Sequence, residues 1–191
     1  MKNSSGAPTP AGRVPLDRQA MLGAMAAHVL EHGLSGASLR PLAKAAGTSD
    51  RMLIYHFGNK EALIGELLTY LANAYSDALD EALPTGRADS RGDCLDAIAA
   101  ATRAPQFAPY LALWWQIVAE ASRGNAVYRD SARAIMRKLL GWVEDFMPLG
   151  ETDRTGAAQQ VLTLVEGAQM LDAVGCSDIA DAALARAIAA G

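Results

Sequence analysis

Apolar residues recur at helical spacing along most of the chain, and no segment shows the alternation typical of a strand. The first periodic segment spans residues 16–33, and Gly33 is a residue type that favours the position just past a helix end. Its inward face is predicted to hold Met21, Leu22, Met25, Val29 and Leu30. The pattern therefore predicts an amphipathic first helix.

Two short helices are predicted to follow within about 25 residues, joined by a tight turn at Gly47. Ser38 can cap the first of them, and Thr48 or Ser49 can cap the second. Leu53 and Phe57 fall on the inward face of the second helix. Three helices with this spacing indicate a helix-turn-helix unit.

Longer helices are predicted beyond this unit. Asn59 can cap a fourth helix that runs to about Leu83 and, at 1.5 Å per residue, would be about 36 Å long, enough to bridge two domains. Later stop and start signals predict helices that begin near Ser90, Pro109, Asn125, Thr152 and Ser177. We therefore expect an all-α protein of about nine helices.

The same signals predict a domain organisation. The expected units are a disordered arm over 1–15, a helix-turn-helix domain over 16–58, a bridging helix over 59–83 and a C-terminal helical domain over 84–191.

Charge is divided unevenly between these parts. Residues 1–60 contain seven Lys and Arg residues and three acidic residues, which gives them a net charge of +4. Since the whole chain has a net charge of −4, residues 61–191 have a net charge of −8. Such asymmetry indicates that the front of the chain meets an anion.

Composition limits the possible classes of protein and of site. Cys94 and Cys176 have no metal-binding spacing, which favours reduced thiols inside a cell. No leader peptide is recognised at the start, and no stretch is long and apolar enough for a membrane span. These observations predict a cytoplasmic protein without a cofactor or a metal.

Residues 38–63 read SLRPLAKAAGTSDRMLIYHFGNKEAL, and this segment resembles the DNA-binding domain of the tetracycline-repressor (TetR) family of bacterial transcription regulators. The matching features are Ser38, the stretch 42–47, Ser49 with Leu53, His56-Phe57, and the stretch 60–63. Where the family usually has Tyr after the Leu, this chain has Ile54, with Tyr55 next to it. The resemblance covers about a third of the chain, and beyond residue 83 it rests on helix count alone.

The resemblance implies a regulator, most often a repressor, that binds a palindromic operator as a homodimer and is released by a small-molecule effector. Phosphate contacts provide most of the affinity for double-stranded DNA, and side chains at base edges read sequence. Arg40 and Arg51 are the candidates for reading guanine. The full set of predicted DNA-binding residues is Ser38, Arg40, Thr48, Ser49, Asp50, Arg51, Met52, Tyr55, His56 and Lys60.

Asp50 is an unexpected residue on a surface that meets phosphates. It can cap its own helix, accept a hydrogen bond from cytosine N4, or hold the guanidinium of Arg51 or Arg40 in a base-reading position. We favour the capping and orienting roles.

The C-terminal domain is predicted to hold an effector pocket and a dimer interface. Large side chains with a few polar groups indicate a cavity between helices, and the candidates are Phe107, Tyr110, Trp114, Trp115, Gln116, Met136, Leu140, Gln169 and Met170. Faces of smaller apolar residues on the last two helices favour an intersubunit four-helix bundle, and the candidates are Val161, Leu162, Val165, Ala168, Leu171, Ile179, Ala183, Leu184 and Ile188.

Two alternatives remain open. One is a DNA-binding regulator without a small-molecule effector, which the front of the chain does not distinguish. The other is a zinc hydrolase, because residues 28–32 read HVLEH, with His28 and His32 on one helical face and Glu31 between them. The expected third ligand is not evident in the sequence, so we predict that the chain is not an enzyme.

Overall fold

The protein is described here from a computed structural model that covers residues 17–190. The predicted disordered arm, residues 1–15, lies outside the described residues. Within them the chain is helical and contains no strand, which confirms the all-α class with a three-helix N-terminal unit and a helical C-terminal part. None of the helices described is long and apolar enough to cross a bilayer.

Nine α-helices lie between residues 17 and 190, with short 3-10 turns at Leu34–Gly36 and Pro105–Phe107. In chain order they are α1 (Arg18–His32), α2 (Leu39–Ala45), α3 (Asp50–Phe57), α4 (Lys60–Ala82), α5 (Arg91–Thr102), α6 (Ala108–Ser122), α7 (Ala126–Phe146), α8 (Arg154–Ala173) and α9 (Ser177–Ala190).

Side-chain caps start several of these helices as the sequence predicts. Ser49 Oγ accepts from the amide of Met52, Asn59 Oδ1 from that of Ala62, and Ser90 Oγ from that of Asp93. These bonds satisfy backbone donors that a helix start leaves unpaired.

Three predicted helix starts need correction. Ser38 and Asn125 occupy the cap positions of α2 and α7, but their side chains make no capping hydrogen bond. Thr152 does not open α8, because Asp153 is the capping residue and its carboxylate accepts from the amide of Gly156. The capped helix therefore begins at Arg154.

A first hydrophobic core joins the three N-terminal helices to the first half of α4. Met25, Leu42 and Leu53 are fully buried in it, and Leu63 and Leu67 of α4 pack from the other side. Helix α6 adds Leu113 and Ile117 to the same core. The front of the molecule is thus packed directly against a helix of the C-terminal part.

A second core holds the C-terminal helices together. It is built from α5, the end of α7, α8 and α9, with Cys94, Val143 and Ala158 among its most buried members. Helix α4 reaches from the first core toward this region, since its Leu79 lies in a small cluster with Phe107 and Leu139. At 23 residues, α4 is about 35 Å long.

Candidate nucleic-acid interface and effector cavity

The turn between α2 and α3 brings two short helices together at the surface. Gly47 adopts a φ of +66°, a conformation that glycine reaches without strain, and the amide of Thr48 donates to the carbonyl of Ala43 at 2.9 Å. This turn lets α3 pack its apolar side, Leu53 and Phe57, into the first core.

The opposite side of α3 is open to solvent and predominantly polar. Arg51 and Tyr55 lie one helical turn apart, and Tyr55 is 79% exposed. Met52, next to them, is 41% exposed. An exposed helix side with an arginine and an aromatic hydroxyl can enter a groove and contact both phosphates and base edges.

Eight of the ten predicted DNA-binding residues are exposed, and the other two are half-buried. The half-buried residues are Thr48 and His56, whose ring packs edge-on against Tyr55 at 5.4 Å between centroids. The role of all ten residues in DNA binding remains a prediction, because the structure shows only how far each side chain is exposed to solvent.

Cations on this surface have no carboxylate partner. Within the described residues, no ion pair involves Arg40, Lys44, Arg51 or Lys60. Lys44 is exposed on α2 and was not among the predicted contacts, although it lies in the quoted motif. Unpaired surface cations are available for phosphate oxygens.

The hydroxyl of Ser38 is free of the capping bond that the sequence predicts for it. A hydroxyl at that position can donate to a phosphate instead. Lys60 is the first residue of α4, where the helix dipole favours an anion, although Glu61 in the same turn opposes it.

The structure corrects the favoured roles of Asp50. Ser49, not Asp50, caps α3, and Asp50 is the first residue of the helix. Over residues 17–190, Asp50 forms no ion pair with Arg51 or Arg40. The capping role is wrong and the orienting role lacks a contact, so direct contact with a base is the alternative that stays a prediction.

A cavity of about 60 Å³ lies between α4, α6, α7 and α8. Since about 10–15 Å³ on this scale admits one water molecule, the cavity has room for a few waters or a small ligand. Its lining consists of Leu68, Leu71, Ala72, Tyr75, Tyr110, Leu111, Leu113, Trp114, Ile117, Ile135, Met136, Leu139, Glu166 and Gln169.

Four of the nine predicted pocket residues line this cavity: Tyr110, Trp114, Met136 and Gln169. The other five lie elsewhere, which corrects the predicted set. Phe107 is fully buried behind Tyr75, and Trp115 faces a separate surface groove beside Arg103. Gln116 contacts the turn after α1, Leu140 packs on the second core, and Met170 is 51% exposed.

Sequence reasoning missed the contribution of α4 and the carboxyl of Glu166. Tyr75 projects from α4 into the cavity, with its ring 5.4 Å from that of Tyr110. The indole Nε1 of Trp114 donates to Glu166 Oε2 at 3.0 Å. Burial is the largest cause that raises the pKa of Glu166, and the hydrogen bond from Trp114 opposes it. The sequence signal that could have identified Glu166 was its spacing of three residues from Gln169, which puts both on one side of a helix.

Gln116 connects α6 to the front of the molecule. Its Oε1 accepts from the amide of Leu34 at 2.8 Å, in the turn that follows α1. Gly33 in that turn has a φ of +67°, and a Cβ there would meet the Gln116 amide at 2.7 Å. The close approach of α6 to this turn therefore depends on glycine.

Most of the predicted dimer-interface residues are not on the surface. Val161, Val165, Ala168 and Leu184 are buried within the second core, and Leu162, Leu171 and Ile188 are partly buried against neighbouring helices. This corrects the assignment of the four buried residues, because a side chain enclosed within one subunit cannot contact another, whereas the assignment of the partly buried residues stays a prediction. Ile179 and Ala183 are exposed on α9.

Two further exposed apolar side chains, neither of them predicted to lie at a dimer interface, are found on α8 and just after it. Met170 is 51% exposed and Val174 is 68% exposed, one helical turn apart. On the adjacent helix α9, Ile179 is 54% exposed, and the exposed Ala183 lies one helical turn after it.

The HVLEH segment packs as part of the fold. The rings of His28 and His32 stack at 4.3 Å between centroids, and both side chains approach Gly36 closely. Within residues 17–190, no group of three or more His, Cys, Asp or Glu residues is placed to hold a metal ion. The two histidines therefore lack the third protein ligand that a catalytic zinc requires.

Cys94 and Cys176 are both free thiols. Cys94 is fully buried in the second core, and burial raises its pKa to about 12. A thiol with a raised pKa is a poor nucleophile, so Cys94 serves as a packing residue.

Comparison with known proteins agrees with this geometry. Residues 24–67 match the family model of bacterial regulatory proteins of the tetR family. That range includes most of α1, all of α2 and α3, and the start of α4. The resemblance predicted from the sequence is thus confirmed for the N-terminal unit.

Solved structures show the same fold over nearly the whole chain. A protein from Rhodococcus sp. assigned to the TetR-family transcriptional regulators is 22% identical, with a TM-score of 0.69 over 91% of this chain and 96% of that one. A transcriptional regulator from Rhodococcus sp. Rha1 is 20% identical, with a TM-score of 0.65 over 90% and 93% of the two chains. No curated protein is significantly similar in sequence.

Proposed function

We propose that this chain represses transcription from a palindromic operator, because residues 24–67 match the family model of bacterial regulatory proteins of the tetR family. The observation that carries this proposal is the set of unpaired cations around the exposed side of α3. Arg51 and Tyr55 project outward there, while Arg40, Lys44 and Lys60 flank them. The chain acts as a binding protein of the bacterial cytoplasm and not as an enzyme.

Affinity and sequence preference come from different residues of this surface. Lys60 and Lys44 contact phosphates, which are the same in every sequence. Arg51, at the exposed N-terminal end of α3, reads a base edge, most suitably the two acceptors of guanine. Tyr55 supplies the hydroxyl that the family motif usually places one residue earlier.

The operator-bound form is a homodimer. One helix-turn-helix unit buries little DNA surface, and two-fold pairing places two recognition helices about 34 Å apart, or a multiple of it, on one side of the duplex. Met170, Val174, Ile179 and Ala183 form the proposed contact between subunits, in place of the buried residues assigned from the sequence. Their exposed apolar surface supports this choice.

Release from DNA follows from a ligand in the cavity. Tyr75 and Leu71 of α4 line it, and α4 starts directly after the recognition helix. Leu113 and Ile117 of α6 line it too, and both belong to the core of the DNA-binding unit. A ligand that separates α4 from α6 would therefore change the position of α3.

Fluorescence anisotropy with two labelled duplexes tests the DNA-binding proposal. One covers the DNA upstream of the protein's own coding region, and the other has a random sequence. We expect Arg51→Ala to weaken binding to the first duplex by about 1–3 kcal/mol with little effect on the second, and Lys60→Ala to weaken both alike.

Arg137→Ala is the matched control, since Arg137 is an exposed arginine on α7 far along the chain from the interface. Equal losses on both duplexes for Arg51→Ala would exclude a base-reading role. Unchanged binding for both interface variants would contradict the proposal itself.

A further inference from the structure

One wall of the cavity, on α8, has a carboxyl and a carboxamide group. They belong to Glu166 and Gln169, which lie three residues apart and line the same space. The aromatic side chains of Tyr75, Tyr110 and Trp114 also line the cavity, and Trp114 Nε1 donates to Glu166. The remaining lining residues are apolar.

Glu166 is a partly buried carboxyl without a cationic partner. No Lys, Arg or His lines the cavity, and in the described part of the chain Glu166 takes part in no ion pair. Lys138 of α7 does not line the cavity and donates to Asn73 at 2.6 Å on the surface. A carboxylate removed from water without a counter-charge is destabilised, and burial raises the pKa of Glu166 accordingly.

Gln169 provides a second, independent indication of a ligand. Its side chain is 94% buried, and its Oε1 has no hydrogen-bond partner among the described residues. Buried polar atoms of native proteins nearly always have a partner. An unpaired carbonyl oxygen at the wall of a cavity is available to accept a hydrogen bond from a bound molecule.

Both groups therefore require the same chemistry from a ligand. Gln169 Oε1 only accepts hydrogen bonds, and an ionised Glu166 also only accepts them. We infer that the cavity takes a small apolar molecule that carries a protonated amine, with its ammonium group between Glu166 and Gln169 Oε1. The aromatic rings pack around the apolar part and attract the positive charge through their faces.

Other ligand classes satisfy this wall less well. A carboxylic acid would place a second negative charge beside Glu166, and an aliphatic molecule would leave Gln169 Oε1 unpaired. A neutral alcohol can donate one hydrogen bond but leaves the Glu166 charge uncompensated. The inference rests on the cavity that the proposed function assigns to an effector, and it adds the charge and the polar group of that effector.

Three probes with one ring each test the inference directly on the full chain. Benzylamine is cationic, benzyl alcohol is neutral and benzoate is anionic, while their size is nearly the same. Binding is followed by nuclear magnetic resonance of the tryptophan indole N–H groups, because Trp114 Nε1–H contacts Glu166. A Trp114→Phe sample serves only to assign its signal.

We expect benzylamine to shift the Trp114 signal and to bind at least about tenfold more tightly than benzyl alcohol, a difference of about one charge-assisted hydrogen bond. Benzoate should not shift it. In Glu166→Gln, which keeps an oxygen to accept from Trp114, benzylamine should bind within about twofold of benzyl alcohol. Glu81→Gln, an exposed glutamate of α4 outside the cavity, should leave the preference unchanged.

Several results would overturn the inference. Benzyl alcohol that binds as tightly as benzylamine, benzoate that shifts the Trp114 signal, or no shift with any probe would each exclude an amine site. A preference for the amine that survives Glu166→Gln would exclude the role of the carboxylate. If Glu166→Gln does not fold, the comparison of the three probes on the unmodified chain still decides.

The DNA assays separate this inference from the proposed function. Loss of sequence-selective binding in Arg51→Ala together with no amine preference would contradict the amine inference alone. Amine binding together with unchanged DNA binding in all interface variants would contradict the DNA-binding proposal alone.

Discussion

Two arginines of the C-terminal part and two arginines near α3 have opposite surroundings. In the C-terminal part, Arg91 contacts Glu151 at 2.8 Å, and Arg103 contacts both Asp172 and Asp181 at 2.8 Å. On the proposed DNA-binding surface, Arg40 and Arg51 have no carboxylate partner within the described residues. The residue type is the same, but the first pair stabilises helix packing and the second is available to an external anion.

The pairing changes the chemistry of the partners too. Hydrogen bonds that Arg91 donates hold the pKa of Glu151 below its ordinary value, and hydrogen bonds that Arg103 donates to Asp172 raise the pKa of Arg103. The difference is not a matter of domain alone, because Arg18 of α1 is paired with Glu66 and lies 4.7 Å from the centre of the Phe57 ring. The comparison is therefore between individual arginines and not between whole domains.

Helix α3 has a second contrast, between a buried and an exposed side, within its eight residues. Leu53 is fully buried in the first core, whereas its neighbour Met52 is 41% exposed. We expect Leu53→Ala to lower the free energy of unfolding by about 2–5 kcal/mol, since it leaves a cavity in the core. Met52→Ala should lower it by less than about 1 kcal/mol.

Urea unfolding followed by circular dichroism measures both values. Equal effects of the two variants would show that α3 does not pack as described. Because Met52→Ala should fold normally, a change in its DNA affinity would report on the outer side of the helix and not on stability.

Gln116 is the polar contact between α6 and the turn after α1. Replacing it with Leu removes the acceptor of the Leu34 amide, and we expect a loss of about 1 kcal/mol because that amide then depends on water. Amide hydrogen exchange should become faster at Leu34 by about fivefold.

Gln159→Leu, an exposed glutamine on α8, is the matched control. Faster exchange at Leu34 in the control, or unchanged exchange in Gln116→Leu, would show that the two parts of the molecule are not joined through this bond. The contact would then play no role in transmitting ligand binding.

Arg103 tests the paired class of arginine. Its side chain is about a third exposed, and the charges of its partners are screened by water. We expect Arg103→Ala to lower the free energy of unfolding by about 1 kcal/mol or less, and to leave DNA affinity unchanged.

Arg51→Ala should give the reverse result, a loss of DNA affinity with an unchanged melting temperature. Two variants that behave alike in both measurements would remove the distinction between paired and available arginines.

The carboxyl group of Glu166 should give the stability of the protein a small dependence on pH. Its pKa is raised above its ordinary value of about 4.5 in the folded state, chiefly by burial. The unfolded chain therefore releases this proton first as pH rises, and stability from this group is lost between pH 4.5 and the folded-state pKa.

Glu166→Gln cannot ionise and should lose this part of the pH dependence. The melting temperature of the variant minus that of the unmodified chain should increase as pH is raised from about 4. A difference between the two that is independent of pH would mean that the carboxyl is not desolvated in the cavity.

The sequence predicted the front of the molecule well because local signals decide it. Helix starts at Ser49 and Asn59, the glycine turn at Gly47 and the burial of Leu53 and Phe57 all follow from short-range rules. The same stretch also carries the family motif, which extends over consecutive residues. Only the cap of α2 and the role of Asp50 were assigned to the wrong contact.

The cavity and the dimer contact were predicted less well because they depend on packing between distant segments. Trp114 and Trp115 are adjacent in sequence, but only tertiary packing decides that one faces the cavity and the other a surface groove. Val161 and Ile179 both have the spacing of an interface, but α5 and α9 cover Val161 within one subunit. Periodicity identifies an apolar face without identifying what covers it.

Selection of DNA from a random-sequence duplex pool tests the central claim most directly. After several rounds with the full chain at about 0.15 M salt, where non-specific binding is weak, we expect an enriched site with two-fold symmetry and half-sites separated by about one helical turn or a multiple of it. The Arg51→Ala variant should lose the preference at one position in each half-site. A pool that stays random after selection, or an enriched site without two-fold symmetry, would contradict a dimeric regulator that reads its operator through α3.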